Sequence, residues 1–173
     1  MSPINALSRD IGQRGSATLE AGLLGVAIIF LMLSAFEGSI IMWQYHTMAE
    51  AVQVSARYAA AHGLGCTQNG NTCSITVGQI ASYIQSTGVG LDPAKLNVTL
   101  VSTNSTVTCS PLNTCTSNGT VFPPSGDNSP GADVKVTATY LMSNPLVMFS
   151  PGAGASKIGK VTLGATSTQR ILF

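Results

Sequence analysis

The sequence predicts an α+β protein in which a long N-terminal helix crosses a membrane and carries a small exported domain. The 173-residue chain has only 9% charged residues and a net charge of +1. Its apolar residues are concentrated before residue 45. The remainder is rich in Thr, Ser, Asn, Gly and Val, a composition that favours strands and turns. This low charge argues against a basic surface for binding nucleic acid.

The predicted membrane span covers residues Ala21 to Trp43, within which Glu37 is the one ionisable side chain. A helix over this segment would be about 34 Å long, enough to cross a hydrocarbon layer of about 30 Å. A helix buried in a soluble core is the less favoured alternative, because "GLLGVAIIFLMLSAF" has no polar face at helical spacing. Trp43 and Tyr45 fit an aromatic belt at the membrane interface.

The charges beside the span predict its orientation. Arg9 and Arg14 precede the span, whereas residues 44–47 contain no Lys or Arg. Because basic flanks stay in the cytoplasm, we expect a cytoplasmic N-terminus and an exported C-terminal domain.

Small residues recur within the span at four-residue spacing, which lets helix backbones approach closely in lipid. The pairs are Ala21 with Gly25, Ser34 with Gly38, and Ala35 with Ser39. Together with the charged and aromatic residues at the ends of the span, these small residues give the candidates for a membrane and assembly helix: Glu20, Gly22, Gly25, Glu37, Gly38 and Trp43.

Glu20 directly precedes the apolar segment, so its carboxylate would lie next to lipid. A favourable interaction with the helix dipole is worth less than about 1 kcal/mol at an exposed position. Ala17 stands three residues before it, so Glu20 is not part of a capping box. The spacing suggests another role, since Gly15 is followed by Ser16 and Glu20 is the fifth residue counted from Ser16.

The stretch "RGSATLEAGLLGVAIIF" resembles the class III signal of type IV prepilins. The resemblance implies that a prepilin peptidase cuts between Gly15 and Ser16 and leaves the anchor in place. The new α-amine of Ser16 would be cationic through much of the neutral range. In a helical assembly, Glu20 would meet the amine of a neighbouring subunit and set the axial register. A secretory signal cut after Ala35 is the competing interpretation, and Leu33 at position −3 disfavours it.

The wider resemblance is to TadE-like proteins, the minor pilin-like components of tight-adherence (Tad/Flp) pili. It rests on "RGSATLEAGLLGVAIIFLML", "EAVQVSARYAA", "TVGQIASYIQSTGVGLDPAKLNVTL" and the Thr/Val-rich C-terminal strands. The chain departs from the family where Ala21 replaces an aromatic residue and where Gly25 and Val26 stand in place of a Pro.

The resemblance implies a role in pilus assembly, surface adhesion and biofilm formation, without a cofactor. The implied partners are prepilin peptidase, other pilins or pseudopilins, and the inner-membrane assembly platform. Two alternatives remain open: an unprocessed single-pass envelope binding protein or adhesin, and a type II secretion pseudopilin. The type II secretion alternative is disfavoured, because the sequence has no acidic calcium-binding cluster of the kind that many major pseudopilins carry.

The predicted organisation is a leader over residues 1–15, a helix over 16–62 and an exported head over 63–173. "HTMAEAVQVSARYAAAHG" continues the helix to His62, and Gly63 is suited to end it. We expect one stripe of this helix to lie against the head; its residues are Met48, Val52, Ser55 and Ala59.

The head is predicted to contain a short helix and a small antiparallel sheet of about three strands. "TVGQIASYIQST" is amphipathic and ends at Gly88. "LNVTLVS", "DVKVTATYLM" and "KIGKVTLGATSTQRILF" read as strands, with a further short strand possible near Thr106. Residues 109–131 form a long Pro/Gly/Asn-rich loop that we expect to be functional or disordered.

Four cysteines in an exported domain predict two disulfides. Three pairings are possible, and we favour the two local ones, Cys66 with Cys73 and Cys109 with Cys115, because each pair brackets a turn-rich loop. A zinc site is disfavoured because no CxxC spacing occurs and only His46 and His62 are available. No nucleophile elbow or phosphate-binding loop is present, so we expect no enzymatic activity.

Overall fold

A computed structural model of the chain describes residues 4–63, 73–143 and 160–172. The chain divides into two units, one ending at Ile41 and the other beginning at Met42. Helix α1 spans Ile4–Ala61 and belongs to both. It starts earlier than the predicted helix over 16–62, because the leader after Pro3 offers Leu, Ala, Arg and Gln, which favour helix, and no further Pro.

The C-terminal part of α1 contributes one wall of the head's core. Met48, Val52, Ser55 and Ala59 are all buried, as the stripe predicted. The hydroxyl of Ser55 donates to the carbonyl of Ala51 one turn back. A polar side chain is therefore accommodated in the core without an unsatisfied hydrogen-bonding group.

Helix α2 spans Val77–Thr87 and is fixed at both ends. At its start, the Gln79 amide donates to Thr76 Oγ1 at 3.2 Å, and the Thr76 amide donates to Gln79 Oε1 at 2.9 Å, which forms a capping box. At its end, the Gly88 amide donates to the Ile84 carbonyl at 2.8 Å. The predicted apolar face is buried; it comprises Val77, Ile80, Ala81 and Ile84.

A four-stranded antiparallel sheet completes the head, in the order β2-β1-β3-β4. Its strands are β1 (Leu96–Val101), β2 (Thr106–Cys109), β3 (Asp133–Ser143) and β4 (Lys160–Arg170). The α+β class is confirmed. The short segment near Thr106 is the fourth strand, because Val98 to Val101 of β1 pair with Cys109 to Thr106.

Strand β3 lies inside the sheet, and its alternation decides which face is buried. Val134, Val136, Ala138 and Tyr140 are buried, as the pattern "DVKVTATYLM" predicted. Across β3 and β4 the register runs from Asp133 opposite Arg170 to Ser143 opposite Lys160. The long β4 strand therefore forms one edge of the sheet along its full length.

The predicted loop over residues 109–131 is tied closely to the head. It contains a 3₁₀ turn, Leu112–Cys115, and a fully buried Phe122. The Phe122 amide donates to the Ile75 carbonyl at 2.9 Å, and the Val77 amide donates to Thr120 at 2.8 Å. Of the two expectations for this loop, functional or disordered, the backbone hydrogen bonds beside the start of α2 argue against disorder.

Candidate functional site

The N-terminal part of α1 exposes an apolar surface that the described chain does not cover. Large hydrophobic side chains are exposed from Leu19 to Phe36. The segment is long and apolar enough to cross a membrane, and its most apolar stretch is not buried. An exposed apolar surface of this extent needs lipid or another apolar helix as its surroundings.

Three glycines in the apolar part of α1 lie in open space. A Cβ built on Gly22, Gly25 or Gly38 meets no other atom within 4 Å. Nothing within the described chain therefore requires these positions to be Gly. Small residues in a membrane helix are typical where another helix approaches closely.

The small polar residues of the span satisfy their own hydrogen bonds. Ser34 Oγ donates to the Phe30 carbonyl at 2.8 Å, and Ser39 Oγ donates to the Ala35 carbonyl at 2.9 Å. Each hydroxyl bonds one turn back along the helix, which removes the penalty of exposing it to lipid. The serines therefore act as small side chains in an apolar environment.

A shallow apolar groove lies on one face of this helix. Gly22 is one of its lining residues, and a Cβ added there would meet no other atom within 4 Å. Two rows at i, i+4 spacing line it: Thr18, Gly22, Val26 and Phe30, and Leu19, Leu23 and Ala27. This shape suits a ridge of side chains on a second helix.

Glu20, just before the span, and Glu37, within it, have different environments. Glu20 is exposed, whereas Glu37 is 9% exposed, and its Oε2 has no hydrogen-bond partner among the described residues. Gly15 and Ser16 lie within α1, and the structure describes nothing of their surroundings. Glu20 is thus accessible to a group on another molecule.

One disulfide is fully described in the head. Cys109, the last residue of β2, is bonded to Cys115, the last residue of the 3₁₀ turn, with a Cα–Cα distance of 5.6 Å. This is the local pairing that the sequence favoured. Cys73 is also disulfide-bonded, and Cys66 lies outside the described residues. The bond ties the 3₁₀ turn to the edge of the sheet.

A buried carboxylate organises the turn between β1 and β2. Asp127 is 4% exposed. Its Oδ2 accepts hydrogen bonds from Ser102 Oγ at 2.6 Å and from the Asn104 amide at 2.8 Å, and its Oδ1 accepts one from Asn104 Nδ2 at 2.6 Å. The hydrogen bonds, that from Ser102 above all, hold the pKa of this carboxyl below its ordinary value. Sequence reasoning missed this cluster.

Trp43, which ends the predicted membrane span, lies against the turn that follows α2. Gly90 has a φ of +85°, and a Cβ added there would overlap the indole ring. Gln44 Nε2 also donates to the Gly90 carbonyl, at 3.5 Å. The turn therefore needs Gly both for its backbone conformation and for the approach of Trp43.

The two histidines occupy separate environments. His46 is exposed, whereas His62 is buried, with Nδ1 2.7 Å from the Tyr58 carbonyl and its ring against Tyr58. Among the residues that the structure describes, His, Cys, Asp and Glu side chains form no cluster of three that could hold a metal ion.

The comparison with known families concerns α1. The model of the family described as TadE-like protein matches residues 15–57. Over this segment the chain is similar to TadE-like proteins. No curated protein and no solved structure matches the chain. The resemblance deduced from the sequence is therefore confirmed along the helix, and it supports a component associated with the Tad pilus.

The TadE-like segment contains the features described above for α1. It begins at Gly15 and includes Glu20, the three uncovered glycines and Trp43. It ends at Arg57, so it also includes most of the stripe buried in the head. The match thus extends from the exposed apolar helix into the part of α1 that belongs to the head.

Proposed function

We propose that this TadE-like protein is a minor pilin, or pseudopilin, that takes part in assembling a Tad/Flp-type pilus for surface adhesion and biofilm formation. The observation that carries the proposal is the family match over residues 15–57. The uncovered apolar surface of the same helix supports it, since a pilin uses this helix first in the membrane and then against other subunits. The protein acts as a structural component and not as an enzyme.

Prepilin peptidase removes the leader by cutting between Gly15 and Ser16. Three features support this step: the basic leader, the Gly before the cut, and Glu20 at the fifth position of the mature chain. The apolar helix remains attached after the cut. The mature protein therefore remains anchored in the inner membrane until the assembly platform incorporates it.

Glu20 then docks the subunit into the assembly. In a lone helix the carboxylate stands beside lipid, which is costly. In the assembly it meets the cationic α-amine of Ser16 on a neighbour, and each charge compensates the other. Because Glu20 is exposed in the single chain, its carboxylate is accessible to a neighbouring subunit.

The head lies on the outer side of the inner membrane. Arg9 and Arg14 hold the leader in the cytoplasm, where the peptidase cuts. The disulfide between Cys109 and Cys115 supports an oxidising compartment for the head. The uncovered Gly22, Gly25 and Gly38 support close contacts with other pilin helices.

The decisive experiment is the intact mass and N-terminal sequence of the protein from cells with and without their prepilin peptidase. We expect a new N-terminus at Ser16 only when the peptidase is present. An uncut leader in both strains would overturn the proposal and favour a tethered envelope protein. A cut near Ala35 would instead indicate a freely secreted protein.

A second experiment separates the Tad pilus from a type II secretion system, which uses the same processing signal. Deleting the gene should abolish piliation and surface attachment while secretion of exported enzymes continues. The Glu20→Gln variant should be cut normally and fail to restore piliation. Normal piliation by this variant would contradict the proposed docking role of Glu20.

A further inference from the structure

An exposed apolar patch joins the end of the predicted membrane span to the turn after α2. Val89 is 63% exposed at the tip of this turn, and Trp43, 50% exposed, lies against the neighbouring Gly90. Met42 and Tyr45 flank Trp43 on α1 and are also exposed. The patch thus combines residues that are 46 positions apart in the chain, as the hydrogen bond from Gln44 to Gly90 also shows.

The residues of this turn differ in how they face solvent. Leu91 is buried in the head, and Val89, two positions earlier, points its side chain outward. Asp92 and Lys95, an exposed pair 3.9 Å apart, follow directly. Val89 therefore presents an apolar side chain that the described head leaves mostly exposed.

We infer that residues 88–91 form a membrane-contact turn, which rests in the interfacial layer of the bilayer that holds α1. The inference depends on the proposed anchoring of α1 in a membrane. Trp is enriched at the membrane–water interface because its ring is apolar at one end and polar at the other. A turn that contacts Trp43 directly is therefore held at the same depth as the indole.

The chemistry of the turn suits this depth. Val89 would enter the boundary between headgroups and acyl chains, where apolar side chains are favoured. Asp92 and Lys95, an exposed pair, would stay among the hydrated headgroups, where Lys95 would meet lipid phosphate. The turn would thereby hold the head close to the membrane until the subunit is extracted into the pilus.

The experiment uses Trp43, the sole tryptophan of the chain, in nanodiscs that each carry one copy of the full protein. Three proteins are compared: wild type, Trp43→Phe with Val89→Trp, and Trp43→Phe with Val121→Trp. Val121 is a matched control, because it is 42% exposed and pairs with Thr76 at the opposite end of α2. The helix separates the two ends by about 16 Å. The fluorescence emission of the tryptophan is measured with two quenchers: acrylamide in the water, and, in separate nanodiscs, lipids brominated near the headgroup.

We expect brominated lipid to quench Trp43 and the tryptophan at position 89, and to leave that at position 121 unaffected. Acrylamide should quench the tryptophan at position 89 about twofold less than that at 121, because lipid shields it. If the tryptophans at 89 and 121 respond alike, the membrane-contact turn is wrong. Protection of position 89 that appears only when other pilin subunits are added would also overturn it, and would assign the patch to a protein partner.

The native Trp43 separates this inference from the proposed function. If brominated lipid does not quench Trp43 itself, α1 is not anchored and both proposals fail. If Trp43 is quenched and the tryptophan at 89 is not, only the membrane-contact turn fails.

A further variant guards against a disturbed fold, since replacing Trp43 removes its contact with Gly90. Val89→Asp keeps Trp43 and should raise its acrylamide quenching about twofold, because the charged turn leaves the lipid. Val121→Asp should leave the quenching unchanged. Unchanged quenching in Val89→Asp would contradict the inference.

Discussion

Asp127 is the residue whose surroundings define its role most fully. Its carboxylate joins the end of the loop over residues 109–131 to the turn between β1 and β2 through Ser102 and Asn104. All three donors favour the charged form, and this lowers the pKa of the carboxyl. A buried carboxylate that accepts hydrogen bonds at both oxygens holds the two segments in one geometry.

We predict that Asp127→Asn destabilises the head at neutral pH, because the amide is uncharged and places its own donors against those of Ser102 and Asn104. The folded pKa is lower than that of the unfolded chain, about 3.9. The carboxylate therefore contributes fully above that value and loses its contribution as pH falls through the folded pKa. The urea midpoint of wild type should exceed that of the variant at pH 7, and the difference should shrink below about pH 4.

Asp133→Asn is the control for this prediction. Asp133 is an exposed carboxylate, 3.6 Å from Arg170 Nε, and an exposed pair of this kind contributes little. Its urea midpoint should stay close to that of wild type at both pH values. Equal losses in the two variants would show that Asp127 has no special role.

The sequence could not reveal the Asp127 cluster. Ser102 and Asn104 lie more than 20 positions before Asp127, at separations of 25 and 23, and no periodic pattern connects them. The role predicted for Glu20, in contrast, depends on local spacing, since Glu20 is the fifth residue after Gly15. The pairing of Cys109 with Cys115 was favoured for the same reason, since six positions separate them.

Among the elements, the turn after α2 leaves the least room for a Cβ added to its glycine, Gly90. Gly90 and Gly126 both have positive φ, +85° and +102°, but a Cβ on Gly126 meets nothing within 4 Å. A positive φ costs an L-residue about 1–2 kcal/mol. Gly126→Ala should therefore be destabilised only by this cost of the positive φ.

We predict that Gly90→Ala loses more stability than Gly126→Ala, because its Cβ also displaces the Trp43 ring. The emission of Trp43 should shift in Gly90→Ala and stay unchanged in Gly126→Ala. Unfolding by urea, followed by this emission, measures both losses. Equal losses with no change in emission would show that Trp43 does not contact the turn.

The capping box of α2 gives a second prediction at the scale of elements. Thr76→Ala removes the acceptor of the Gln79 amide, so the head should lose about 1 kcal/mol of stability. Ser82→Ala, at an exposed position within α2, should have little effect or be slightly stabilising. Urea midpoints measured in detergent compare the two variants, and an unaffected Thr76→Ala would mean that the cap contributes nothing.

Elements with a clear local period were predictable, and those that depend on distant partners were not. The alternation of β3 and the apolar face of α2 predicted the buried residues of both. Strand β2 has only four residues, three of them Thr or Cys, so its place in the sheet depends on pairing with β1. The order of the loop likewise depends on Phe122, whose burial no local pattern indicates.

At the scale of the whole molecule, the chain combines a well-packed head with a helix whose apolar surface the described chain leaves uncovered. Stability and assembly should therefore respond to different residues. Changes in the head should alter folding, whereas changes at the uncovered glycines of α1 should alter association with other subunits. A subunit that is first anchored in a membrane and then incorporated into a pilus needs this separation between residues for folding and residues for association.

The separation predicts the behaviour of Gly25→Leu. A Cβ at this position meets no atom of the described chain within 4 Å, so the folding of the head should be unchanged. Close packing against a partner helix should be blocked. A loss of about 1 kcal/mol per contact corresponds to about fivefold weaker association. Met32→Phe is the control, because it adds bulk where a large side chain is already exposed.

The measurement is the amount of each variant that co-purifies with the other pilins after crosslinking in cells, normalised to the mature protein in the membrane. Gly25→Leu should be depleted and Met32→Phe should match wild type. If both are retained equally, the glycines are not contact points between helices. If both are depleted equally, the helix associates through its overall apolar surface, and the small residues have no specific part in assembly.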